Sequence, residues 1–319
     1  MKIAITGGSG FIGTRLIQEL RADGHEIVII DIAHDQPIDI LYQDKLNAAC
    51  AGCEVIYHLA AAHRDDVFPR SIYYDTNGQG TQNVVQAAEI NNVKHIIFTS
   101  TVAVYGLNVG SPDESAPVNP FNDYGKSKLE AEEHLKKWAE KNQDHKATII
   151  RPVVVFGENN RGNVHTLINQ ISRGKFLMIG NGENKKSMAY VGNVAAFLKY
   201  CLKARNGVEI FNYADKPDFT TNELTDVIYE GLHLQKPKFS LPYSIGMGAG
   251  YAFDVLAKIT GKTLPISSIR VQKFCADTTV NADKVRSDGF VAQYSLAEGV
   301  GRMIDHDFAD VIKNAKQAA

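Results

Sequence analysis

Long runs of one kind are what this sequence lacks. Its 319 residues set 34 lysines and arginines against 36 aspartates and glutamates, and the formal net charge is −2. No Lys/Arg run exceeds two residues, so nothing in the pattern expects a nucleic-acid or anionic-membrane partner. No stretch reads as a membrane-spanning helix either. The strongest, "YSIGMGAGYAFDVLAKI" (243–259), contains Asp254 and Lys258 and falls short of a span, so stable membrane insertion is not expected. It reads as a core helix, with a helix touching a membrane surface as the alternative. Cysteine is scarce: four residues, at 50, 53, 201 and 275. Cys50 and Cys53 form a C-x-x-C with no second Cys/His pair at zinc spacing, so no metal site is expected. Core thiols in a reducing compartment are the reading. Met1 leads straight into "KIAI" and then polar Thr6 and glycines, too short for a secretory signal, and the expectation is a cytoplasmic protein.

What is present is alternation. "KIAIT" (2–6), "EIVIID" (26–31), "EVIYHLA" (54–60), "HIIFTST" (95–101) and "KATIIRPVVVF" (146–156) read as strands. Helical periodicity lies between them at 14–24, 41–50, 71–91 and 124–142. Near-continuous apolar strands alternating with helices predict an α/β fold, a Rossmann-type doubly wound parallel sheet covered on both faces. Beyond about residue 157 polar, glycine-rich loops such as "GENNRGN" and "GNGENKK" interrupt the pattern. The expected organisation is a dinucleotide-binding domain over 1–160. A smaller, loop-rich substrate lobe covers 161–319, with about 190–214 returning to the first domain through a strand near "EIFNYA" (209–214).

Between the first strand and first helix stands "ITGGSGFIG" (5–13). Gly8, Gly10 and Gly13 make a G-x-G-x-x-G, and Gly7, Gly10 and Gly13 a T-G-x-x-G-x-x-G. Either frame brings backbone close to a pyrophosphate at a helix amino terminus. Asp31 closes the second strand, where a carboxylate accepts hydrogen bonds from both hydroxyls of an adenosine ribose and repels a 2′-phosphate. No Arg or Lys follows between 32 and 44 to offset it. The reading is NAD rather than NADP.

"YGKSK" (124–128) places Tyr124 and Lys128 four residues apart on one helix face. A phenol with a pKa of about 10 is a poor base near neutrality. An adjacent ammonium favours its phenolate, which makes the pair a general base and acid for an alcohol or ketone. Thr99, Ser100 and Thr101 end the fourth strand, where such a sheet opens onto its ligand crevice.

These pieces, with "HLAA" (58–61), "TNGQGTQNV" (76–84), "DESAP" (113–117) and "RPVVVFG" (151–157), occur in a familiar order. The chain resembles the extended short-chain dehydrogenase/reductase family, and within it the NAD-dependent nucleotide-sugar epimerase/dehydratase group. The resemblance implies Tyr124 as catalytic base and acid, Lys128 lowering its pKa and bonding the nicotinamide ribose, and Thr101 holding the reacting oxygen. It implies a cofactor site of Gly7, Gly10, Phe11, Ile12, Gly13, Asp31, Asp39, Ile40, Leu59, Ala60, Ala61 and Asn77, with Gly8 at a variable place. It further implies substrate contacts at Asn163, Lys186 and Arg270, the lysine standing where relatives carry arginine. A homodimer paired through the helix bearing Tyr124 is also implied.

The expected function is therefore oxidoreduction at C4 of a nucleotide sugar, UDP-linked, by a 4-epimerase or a 4-keto-sugar reductase. A dehydratase would carry Asp-Glu after the strand-end hydroxyl, where this chain has Val102 and Ala103. The alternative is a 3β-hydroxysteroid dehydrogenase-like enzyme acting on a sterol or lipid alcohol, because "GKTLPISSIRVQKFCAD" (261–277) resembles that group. A non-enzymatic NAD-sensing regulator is the remote reading, since such proteins usually lose the Tyr/Lys pair.

Overall fold

The structure is a computed structural model and describes residues 1–64, 66–107, 109–260 and 267–318. The opening of "GKTLPISSIRVQKFCAD", residues 261–266, lies outside them. In chain order the strands are β1 (Lys2–Thr6), β2 (Glu26–Ile30), β3 (Val55–His58), β4 (His95–Thr99), β5 (Lys146–Pro152), β6 (Val154–Phe156), β7 (Lys185–Tyr190), β8 (Gly207–Tyr213) and β9 (Asp215–Thr220). The helices are α1 (Phe11–Ala22), α2 (Gln43–Ala49), α3 (Ser71–Tyr73), α4 (Gly80–Ile90), α5 (Asp123–Glu140), α6 (Asn163–Ser172) and α7 (Val191–Tyr200). They continue with α8 (Thr221–Gly231), α9 (Tyr243–Thr260), α10 (Ser268–Cys275), α11 (Asp283–Ser287), α12 (Leu296–Asp307) and α13 (Ala309–Ala318).

Six strands form one sheet in the order β2-β1-β3-β4-β5-β8, every pair parallel. The α/β expectation holds, including the strand near 209–214, which is β8. Central strands β3 and β4 are buried almost throughout, as two-sided covering requires. On one face α2, α4 and α5 cover the sheet through Leu46, Val84, Leu135 and Trp138, packed with Ile30, Ile56 and Ile96. Strand order reverses at β1, with β2 to one side and β3 to the other. The carboxyl ends of β1 and β3 therefore flank the crevice in which such sheets bind ligands.

The chain divides into two compact units. The first comprises Met1–Val155, Val191–Ala214 and Val280–Gln293, and the second Phe156–Tyr190, Asp215–Thr279 and Tyr294–Ala319. The first unit thus recruits a segment from far into the carboxyl-terminal region. Phe290 there packs against Phe197, Tyr200 and Tyr213, with ring centroids 5.1–6.2 Å apart. In the second unit β7 and β9 pair antiparallel, and α8 and α12 each begin with a capping box, Thr220 with Glu223 and Ser295 with Glu298.

Helix α9 departs from its reading as a core helix. Among its residues only Gly246 and Gly250 are buried. A Cβ on Gly250 would lie 2.8 Å from the backbone of Ser268, so the small face turns inward to let α10 approach closely. Ile245, Tyr251, Val255, Leu256 and Ile259 are exposed. Cys50 and Cys53 are free and buried, as core thiols should be, and burial pushes the Cys50 thiol up to about 12.

Candidate active site

The glycine turn is built for close approach. Gly7 has φ +70°, and a Cβ there would stand 2.6 Å from the amide nitrogen of Ala60. Only glycine fits this conformation and this gap. A Cβ on Gly13 would collide with the backbone of Gly7 and Gly8. Gly8 lies outside the left-handed region, and a Cβ there would meet the Ile29 and Ile17 side chains and the Ile5 carbonyl at 3.0–3.3 Å, a crowding less severe than at Gly7 and Gly13. Gly10 is the N-cap of α1, with no side-chain cap and no acid in the first turn. The amides of Phe11, Ile12 and Gly13 thus present the unmodified positive end of a helix toward the crevice.

At the end of β2, Asp31 Oδ2 accepts from the Ser9 amide at 3.0 Å and Oδ1 from the Ala33 amide at 2.8 Å. Two backbone donors fix the carboxylate against the glycine turn, with lone pairs left for ribose hydroxyls. After β3, the Leu59 amide donates to Thr6 O and the Ala60 amide to Thr6 Oγ1, which holds 59–61 alongside the turn. Asp39 caps its own turn by accepting from the Leu41 amide at 2.9 Å. The Ile40 side chain belongs to the core beneath, against Gly80, leaving its backbone and Asp39 at the rim. These groups fit a dinucleotide: open helix amides, a ribose-matched carboxylate and a backbone-lined wall.

Asn77 lies in a π-helical turn (Tyr74–Gln79), the kind of bulge that often marks a working position. It is nearly fully committed: Oδ1 accepts from Ala62 N, and Nδ2 donates to Ala62 O and to Ser127 Oγ. Its carboxamide clamps the wall after β3 onto α5.

Helix α5 carries Tyr124 and Lys128. Asn122 caps it by accepting from the Gly125 amide at 2.9 Å. A Cβ on Gly125 would stand 2.9 Å from Ala103 O, so this glycine lets the first turn of α5 close on the 3-10 turn Val102–Tyr105. That closeness hydrogen-bonds Tyr124 to Thr101. Thr101 Oγ1 accepts from the Ala103 amide at 3.1 Å, which leaves its O–H to donate to the phenol oxygen. The three strand-end hydroxyls have three fates. Ser100 donates to Glu132 at 2.6 Å, Thr99 Oγ1 is buried without a partner, and Thr101 faces Tyr124.

Electrostatics differ from the sequence expectation. Burial raises Tyr124 to about 12, the Thr101 hydrogen bond pulling the other way and Tyr73 adding to the rise. Lys128 is not what sets it. Burial lowers the lysine itself to about 7, with Glu132 opposing, because a desolvated ammonium loses its charged form. Its Nζ lies 4.0 Å from the centroid of the Phe98 ring, whose other neighbour is His58, stacked at 5.2 Å. His58 hydrogen-bonds Thr6 and Thr81, and burial holds it down to about 3.

Beneath the pair runs a network the sequence reading did not single out. Glu132 accepts from Arg151 Nε at 2.9 Å and Nη2 at 2.6 Å, both residues being essentially fully buried. Arg151 Nη1 donates to the Tyr105 hydroxyl, which donates to Asn212 Oδ1. The signal was present: Tyr124, Lys128 and Glu132 repeat every four residues, so an acid shares the buried face with the lysine.

Apart from Thr101, the residues expected to touch substrate lie in the second unit. Asn163 is the exposed first residue of α6. Lys186 Nζ donates to Lys273 O at 3.0 Å and Ala276 O at 2.5 Å, so two of its three donors close the carboxyl end of α10. Arg270 is exposed on α10. Among the described residues no group of His, Cys, Asp and Glu could hold a metal ion, and no helix is long and apolar enough to cross a membrane.

Comparison with known proteins follows the same lines. The chain is 50% identical to N-acetyl-alpha-D-glucosaminyl-diphospho-ditrans,octacis-undecaprenol 4-epimerase of Escherichia coli O157:H7, over 98% of this chain and 97% of that protein. It is 31% identical to UDP-glucose 4-epimerase of Vibrio cholerae, over 82% and 83% of the two chains. In fold it is similar to UDP-N-acetylglucosamine 4-epimerase from Bacillus cereus, with TM-score 0.76 at 21% identity, over 95% of this chain and 98% of that one. The profile of the NAD dependent epimerase/dehydratase family matches residues 3–214, and the chain is an enzyme that belongs to this family.

Proposed function

We propose that the protein is an NAD-dependent 4-epimerase whose substrate is an N-acetylhexosamine carried on a lipid diphosphate. The observation that carries this reading is 50% identity, over nearly the whole of both chains, to an epimerase named for an undecaprenyl diphosphate-linked sugar. The UDP-linked sugar expected from the sequence shares the diphosphate, and UDP-linked 4-epimerases are the more distant relatives. Sterol enzymes align too, but at 24–27% identity.

NAD, when bound, supplies the acceptor and donor of the C4 hydride. Gly7, Gly10 and Gly13 bring backbone to its pyrophosphate, and Asp31 takes the adenosine ribose hydroxyls. Thr101 holds the sugar O4 by hydrogen bonding. Tyr124 takes the O4 proton as C4 is oxidised and gives it back when the 4-keto sugar is reduced on its other face. Lys128, buried one turn along α5, meets the nicotinamide ribose. The Val102–Ala103 pair offers no second acid or base, which fits epimerisation and not dehydration. Asn163, Arg270 and the third donor of Lys186 are the proposed diphosphate contacts.

The test is NMR of enzyme with catalytic NAD on N-acetylglucosaminyl diphosphoundecaprenol in detergent and, separately, on UDP-N-acetylglucosamine. The expected result is a 4-epimer from the lipid-linked sugar with no net cofactor consumption. Conversion of the UDP sugar alone overturns the lipid-linked reading, and stoichiometric NADH loss on a 4-keto sugar replaces epimerase by reductase.

A further inference from the structure

Helix α9 combines two features that pull against each other in water. Its inward face is glycine, with Gly246 and Gly250 against Ile179, Val271 and the Ser268 backbone. Its outward face holds Ile245, Tyr251, Val255, Leu256 and Ile259, each between 45% and 77% exposed. Positions 245, 248, 252, 255 and 259 follow one another at three- and four-residue steps, a single stripe along the helix. Phe239 just before α9 and Ile269 on α10 are also exposed, at 65% and 53%. A continuous apolar surface of this kind on one side of a soluble unit marks an interaction site.

The charges around it choose the occupant. Between residues 236 and 273 the sequence has six Lys/Arg (236, 238, 258, 262, 270 and 273) and one acid, Asp254. Asp254 turns inward and accepts from the Ser268 amide and hydroxyl. Lys236 is paired with Asp226, Lys238, Lys258 and Lys273 are exposed, and Lys262 lies outside the described residues. The balance over the whole chain, 34 basic against 36 acidic residues, conceals this concentration. Apolar stripe plus cations without exposed acid is the pattern of a helix that lies in a lipid–water interface. Its start also walls a hollow of about 680 Å³ lined by Ile179, Asn181, Pro242, Tyr243 and Gln272.

We propose that the outer face of α9, with Phe239 and Ile269, docks this protein on an anionic lipid monolayer, cations toward the head groups and the stripe among the acyl chains. Lying on the surface requires no spanning helix. The choice of lipid over a second copy of the chain rests partly on the lipid-linked substrate proposed above.

The experiment is co-sedimentation of the full chain with vesicles of phosphatidylcholine alone and of phosphatidylcholine with phosphatidylglycerol at three to one. The wild type should pellet with the mixed vesicles, and V255E/I259E should lose that binding by about tenfold or more. Both positions are exposed, so the variant should keep its circular dichroism, its Tm and its turnover of detergent-dispersed substrate. Equal pelleting of both proteins, or no binding by the wild type, overturns the proposal. A wild-type dimer that the variant splits, without vesicle binding, also overturns it and assigns the face to a second copy. Binding is read without substrate, so failure of the lipid-linked reading appears as absent turnover by vesicle-bound enzyme, a separate result.

Discussion

Tyr124 is the residue on which the proposed chemistry turns, and its environment explains why it needs company. A phenol raised to about 12 by burial is a weak base until positive charge and a hydrogen-bond donor favour its anion. Thr101 supplies the donor. Tyr124→Phe should lower kcat by roughly 10²- to 10⁴-fold, with NAD affinity by calorimetry nearly unchanged. Lys128 is a second residue-scale case. Its pKa falls to about 7 in the folded protein from the ordinary lysine value of 10.5, so between those values the unfolded chain holds the extra proton. Stability from this group therefore rises with pH from about 7 toward 10.5 and is lowest where the buried lysine is charged. Thermal unfolding without cofactor should show the wild type gaining Tm relative to Lys128→Met between pH 7 and 9. A constant difference over that range contradicts the assignment.

At the scale of elements, α5 acts as a carrier whose buried face is polar where function asks and apolar elsewhere. Gly125 lets its first turn reach Thr101, and Glu132 two turns on neutralises Arg151 from β5. Removing one partner of a buried pair leaves the other charge stranded. Glu132→Gln should cost about 3–5 kcal/mol in urea unfolding, and adding Arg151→Met should recover part of that loss. The glycine turn was legible from spacing because backbone crowding at Gly7 and Gly13 is a local demand. The Tyr124–Lys128 face was legible because a helix repeats every 3.6 residues. Which strand-end hydroxyl meets Tyr124 was not legible from the strand alone, since Thr99, Ser100 and Thr101 differ by what α5 and the following turn bring to them. Helix α9 was misread for a related reason. An apolar helix with glycines is expected to bury its large side chains, and here close backbone packing with α10 buries the glycines instead.

For the whole molecule, the first unit is not a continuous stretch of chain. Val280–Gln293 returns to it, and Phe290 completes the aromatic cluster of Phe197, Tyr200 and Tyr213. Phe290→Ala should destabilise by about 3–5 kcal/mol, and near-ultraviolet circular dichroism of a fragment ending at residue 214 should lack native tertiary signal. Strand alternation, the glycine spacing, Asp31 and the Tyr124–Lys128 repeat determined the fold class, the cofactor and the type of chemistry from sequence alone, because each depends on short-range geometry. Tertiary structure alone decided that burial and Thr101 set Tyr124, that Lys186 spends two donors on a helix end, and that Glu132 meets Arg151. It also decided that α9 turns its apolar side to solvent. These outcomes depend on which distant segments pack together, and desolvation exists only once they have done so.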